Sequence, residues 1–164
     1  SVMKKIAEWG SLEYVAPDEV RLEKWGREND HSDDKAVWEV ARSRVVDAVK
    51  KSKNIVFDST FSTMRRRAHF IKFAHTNGVA AIEGLYFDIP LELVLERNLE
   101  RGTTGGKVVS SDYIREAHTE LQNSPPRAEE GFDALLKIDG NNNVTVIKSP
   151  PGSILSTYFA QMKT

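Results

Sequence analysis

The stretch VAAIEGLYFDIPLELVLERNLERG, residues 79–102, runs from one kind of local structure straight into another. Residues 79–87 form an apolar run of strand length. Pro90, whose ring pre-sets a helical φ, then starts a helix that carries Arg97 and Arg101. The same alternation continues in both directions. Towards the N-terminus, residues 62–78 read as a helix capped by Ser62 or Thr63 and ended near Gly78. Before it, residues 54–58 (NIVFD) form a buried strand closing on an acid, and a helix of about residues 32–51 repeats Val37, Trp38, Ala41, Val45, Ala48 and Val49 at helical spacing. Asp33 and Asp34 suit its positive N-terminus. Earlier still come a helix opened by Pro17-Asp18-Glu19 and stopped by Gly26, a short strand LEYVA at 12–16, and a helix over 2–8 with Gly10 in the C-cap position. Towards the C-terminus a glycine-rich turn leads to a helix from Ser110 or Ser111 to about Gln122, then strands at 134–138 and 144–147, and a last helix over 154–162.

Strands alternating with helices imply βαβ units, hence an α/β fold whose mainly parallel sheet has helices on both faces. Ligands in such sheets sit beyond the carboxyl ends of the strands. Asp18 follows the first strand and Asp58 ends the second, so both fall where a site is expected.

With 164 residues the chain suits a single domain, 1–164. Hydrophobic residues make up 40% and charged residues 29%, the composition of a globular protein. No apolar run approaches the ~20 residues of a spanning helix, so no membrane partner and a cytoplasmic location are expected. There is no cysteine, which excludes disulfides, a thiolate nucleophile and thiolate-bound zinc. A net charge of −1 argues against a general electrostatic grip on duplex nucleic acid, so any anion site is expected to be local.

An acid at a strand's carboxyl end, as at Asp18, can take a proton from an attacking hydroxyl, and Arg21 one turn later can orient that carboxylate or hold a phosphate. Helix capping with a solvated arginine is the plainer alternative. Asp58 can sit near bound Mg²⁺ or brace an arginine, or merely satisfy a turn. Arg65-Arg66-Arg67 is read as a solvated face. Arg97 and Arg101 stand four apart on one helical face, with Gly102, Gly105 and Gly106 giving the next segment freedom to act as a lid over about 97–122. An arginine pair over transferring phosphates suits phosphoryl transfer, whose catalysis is positioning and charge neutralisation. Pairing with Glu96 and Glu100 on a wet surface is the alternative. His31, His69, His75 and His118 form no metal-ligand spacing and are read as structural, and Trp9, Trp25 and Trp38 as core or rim.

In order, PDEVRLEKWG, IVFDSTFSTMRRR, YFDIPLELVLERNLERG and EEGFD resemble the P-loop kinase family that includes the 5′-hydroxyl polynucleotide kinases of phages and bacteria. The likeness runs from about Leu12 to Asp133. It implies a P-loop kinase-like fold, ATP and Mg²⁺ as cofactors, and a nucleic-acid 5′-hydroxyl end as the acceptor, chemistry at home in nucleic acid repair. By that resemblance Asp18 is the general base, Arg21 contacts substrate phosphate, Asp58 matches the acid ending the next strand, and Arg97 and Arg101 are lid arginines on the ATP phosphates. The family's G-x-x-x-x-G-K-[ST] loop does not occur in the 164 residues. The central first strand and phosphate loop are therefore expected upstream, with Ser1 as the loop's final hydroxyl residue, serving phosphate and Mg²⁺. The expected activity is ATP-dependent transfer to a 5′-hydroxyl end of RNA or DNA. A small-molecule hydroxyl kinase of the same superfamily and a non-catalytic nucleotide-binding module are the alternatives.

Overall fold

The computed structural model describes residues 1–28 and 31–162. They form an α/β structure of parallel strands flanked by helices, in two compact units. The first unit comprises residues 1–60 and 76–79, the second 61–75 and 80–164.

In the first unit, α1 (Val2–Gly10) is capped by Ser1, whose Oγ accepts from the Lys4 amide at 3.3 Å. Ser11, not Gly10, takes the left-handed C-cap conformation, with φ 51°. Gly10 serves another need: a Cβ there would lie 2.9 Å from Leu12 Cγ, because the chain doubles back onto the helix end. Then follow β1 (Glu13–Val15), α2 (Pro17–Trp25), α3 (Asp34–Lys50) and β2 (Ile55–Phe57). β1 and β2 pair in parallel, Tyr14 opposite Val56. α2 starts on Pro17, has Asp18 and Glu19 in its first turn, and stops at left-handed Gly26, as its sequence dictates. α3 begins two residues later than the expected residue 32, because Asp33 is its cap. Val15, Val20, Val37, Ala41, Val45 and Val56 are buried in this unit's core.

In the second unit, α4 (Met64–Thr76) starts with Thr63 Oγ1 accepting from the Arg66 amide. β3 (Glu83–Asp88), α5 (Leu91–Thr103), α6 (Ser111–Asn123), β4 (Ala134–Asp139), β5 (Val144–Lys148) and α7 (Ile154–Met162) complete it. β3 runs parallel to β4, and β5 closes antiparallel on β4. The strand expected from residue 79 begins only at Glu83. Its partner strand begins at Ala134, and Ile82 is held by Asp133 instead: its amide donates to Asp133 Oδ2 at 2.7 Å and its carbonyl accepts from the Asp133 amide. Gly84 admits Phe132 and Leu135, which would lie 2.8 and 2.9 Å from a Cβ at that position.

The run Arg65-Arg66-Arg67 is not a uniformly solvated face. Arg67 is 4% exposed and forks onto Glu130, Nε to Oε2 at 2.6 Å and Nη2 to Oε1 at 2.9 Å, while Nη1 donates to the Phe61 carbonyl. The short 3₁₀ turn Ala128–Glu130, which the sequence reading passed over, delivers that glutamate.

Candidate active site

The first unit gathers Ser1, Tyr14, Asp18, Arg21, Asp34 and Asp58. β1 passes into α2 within one residue, which places Asp18 in the first turn beyond the strand's carboxyl end. Arg21, one turn on, lies on the same side of the helix. Its side chain is only 7% exposed, so it is not the solvated arginine of the plainer alternative. Nη1 donates to Asp18 Oδ1 at 2.8 Å. Nε and Nη2 donate to a single oxygen of Asp34, Oδ1, at 3.1 and 2.6 Å. One guanidinium thus spans two carboxylates, and the Asp18 side chain, half exposed, stays open to solvent while tethered.

Asp34 is available because its neighbour does the capping: Asp33 Oδ1 accepts the Ala36 amide at 3.0 Å. His31 Nδ1 lies 3.0 and 3.1 Å from the two Asp34 oxygens. Burial opposes ionisation of Asp34, but Arg21 and His31 outweigh it and hold the carboxyl below the usual range.

Asp58 closes the second strand, its amide donating to the Val15 carbonyl at 2.9 Å. Its Oδ2 accepts from the Tyr14 hydroxyl at 2.7 Å. Burial, then this hydrogen bond to Asp58, pushes the Tyr14 phenol upward, so it remains a donor through the neutral range. Lys4 Nζ pairs with Glu19 at 2.5 Å and lies 5.4 Å from the centre of the Tyr14 ring.

Among the described residues no group of three or more His, Cys, Asp or Glu side chains could hold a metal. Mg²⁺ does not require one, since it takes one or two protein oxygens and completes its octahedron with water and phosphate. Ser1 and Asp58 offer hard oxygen donors of the kind that ion takes.

In the second unit, Arg97 and Arg101 are exposed on α5, and among the described residues neither has an ion-pair partner. The alternative pairing with Glu96 and Glu100 is not made. Between them in sequence, Asn98 is 4% exposed and clasps Val109, Nδ2 donating to its carbonyl at 2.8 Å and Oδ1 accepting its amide at 2.9 Å. The glycine turn folds tightly against the helix end: the Gly106 amide donates to the Arg101 carbonyl at 2.9 Å, and a Cβ on Gly106 would lie 2.5 Å from Arg101 Cγ. In this structure Gly106 permits close approach.

Sequence reasoning passed over Tyr14, Asp34 and Asn98 as site components. Only Asp34 left a signal, as the second acid of a doublet where a cap needs one. No described helix is long and apolar enough to cross a membrane. A family model described as AAA domain (AAA_33) matches residues 1–124. No curated protein matches the chain.

Proposed function

We propose, from the premise that the chain belongs to the AAA domain family AAA_33 and is a P-loop kinase-type nucleotide-binding domain, that it moves the γ-phosphoryl group of ATP to the 5′-hydroxyl end of RNA or DNA. One observation carries the reading: a half-exposed carboxylate, Asp18, beyond a strand's carboxyl end, anchored by a buried arginine. Asp18 takes the proton of the acceptor hydroxyl as its oxygen attacks the γ-phosphorus, and the bond from that phosphorus to the bridging oxygen of ADP breaks. Arg21, buried and bonded to Asp18 and Asp34, orients Asp18. Ser1 and Asp58 are the residues that would offer oxygens to Mg²⁺, which when bound would neutralise phosphate charge. The guanidinium groups of Arg97 and Arg101, without an ion-pair partner among the described residues, are assigned to the donor phosphates on their chemistry alone.

The Asp18→Ala variant should lower the transfer rate by about 10²–10⁴-fold, the usual contribution of a general base, with ATP binding nearly intact. Full activity in that variant removes the proposed base. The assay should set an oligonucleotide bearing a 5′-hydroxyl beside small sugars and nucleosides, since a net charge of −1 also suits a small acceptor. Preference for the small alcohols would move the assignment to a small-molecule kinase.

A further inference from the structure

Asp34 spends its carboxylate on an arginine that already has a partner. Arg21 has two faces of donors, the Nε–Nη2 edge and the Nη1 side. Asp34 Oδ1 takes the whole of the first edge, at 3.1 and 2.6 Å, leaving Nη1 for Asp18 at 2.8 Å. The bond to Asp34 crosses 13 residues of chain, from the first turn of α3 to α2, so it also ties one helix to the other. Helix capping cannot be what Asp34 is for, because Asp33 already accepts the Ala36 amide.

We propose that Asp34 is a positioning residue for the transfer reaction, acting through Arg21 on Asp18. The physical reason is competition for a fork. A guanidinium with 7% exposure must find acceptors inside the protein, because leaving it short of them is costly. If Asp34 offered no negative oxygen, the two-donor edge would be free to turn onto Asp18, the other carboxylate bonded to it among the described residues, and would engage oxygen lone pairs of the proposed base. Asp34 thus sets which edge of Arg21 meets Asp18, so that Arg21 gives Asp18 one bond rather than two. This proposal rests on Asp18 being the base, and its test separates the two claims.

In the full chain, Asp34→Asn and Asp34→Ser keep residue types that helix starts accept while removing the anion. Both should lower kcat on a 5′-hydroxyl oligonucleotide by about 10–100-fold, the size of effect seen when a supporting partner is removed, with the KM for ATP within about twofold of the parent. A double-mutant cycle with Arg21→Lys identifies the route: Asp34→Asn should cost less than about twofold further in that background if it acts through Arg21. A direct readout is the Arg21 Nε–H resonance, protected from exchange in the parent and unprotected in both Asp34 variants. Parent-like kcat in Asp34→Asn beside an inactive Asp18→Ala overturns the positioning role, as does full additivity in the cycle or an undisturbed Nε–H signal. Parent-like activity in Asp18→Ala overturns the catalytic reading itself.

Discussion

Three consecutive arginines have three different environments. Arg65 is exposed, Arg66 is exposed but reaches Glu120 and buried Ser62, and Arg67 is buried with its fork on Glu130 and two backbone carbonyls. Charge alone does not distinguish them; the number of fixed acceptors does. Removing Arg67 leaves Glu130, itself only 5% exposed, as an uncompensated buried charge. Arg67→Ala should therefore lower unfolding stability by about 3–5 kcal/mol in urea titrations, whereas Arg65→Ala should stay within about 0.5 kcal/mol. Equal effects of the two substitutions would contradict this account. The same contrast separates the candidate site residues. Arg21 is almost wholly buried and committed to Asp18 and Asp34, which suits it to holding a carboxylate still, while exposed Arg97 and Arg101 retain their donors for an external anion.

At the scale of elements, remote side chains complete what the local chain starts. The first amides of α7 are satisfied by Glu83 of β3, whose Oε1 accepts from Ile154 and Oε2 from Leu155, both at 2.9 Å. With Leu155 and Tyr158 buried, the last helix is held on the sheet of the second unit. The β4–β5 turn works locally instead. Asp139 Oδ2 accepts from the Asn143 side chain, and Oδ1 accepts the amides of Asn143 and Asn141. The Asn143 side chain first, and then these amides, hold the Asp139 carboxyl below the usual range. A depressed folded-state pKa means that the turn's contribution is present above the ordinary ~3.9 and is lost as pH falls through the lower folded value. NMR titration of the Asp139 carboxyl should thus give a midpoint below ~3.9, and Asn143→Ala should move it upward; an unmoved midpoint would show that Asn143 is not the cause. Helices α2 and α6 and the two strands of this hairpin were legible from short-range signals, Pro17, Gly26 and Ser110 for the helices and the apolar runs at 134–138 and 144–147 for the strands. The strand at residue 79 was placed too early because apolarity continues past the point where a ladder partner exists.

For the molecule as a whole, 23 basic against 24 acidic residues leave little long-range field to capture a polyanion. Acceptor binding should depend on a few arginines, so the slope of log K against log salt for a single-stranded oligonucleotide should be no steeper than about −2, as expected for roughly three phosphate contacts. A slope near −5, measured by fluorescence anisotropy, would instead require a broad basic surface. By itself the sequence determined what depends on near neighbours: the alternation of strands and helices, most of their caps, and the two acids at strand ends. Asp18 and Asp58 were legible because a strand's end is set by residues beside it. Only the tertiary structure decided which charges are committed and which remain available. Arg21 meets Asp34 across 13 residues, Tyr14 meets Asp58 across 44, and Arg67 meets Glu130 across 63. Whether a guanidinium is solvated or buried depends on acceptors delivered by other elements. Those acceptors exist only once burial has made an unpaired charge too costly to leave alone.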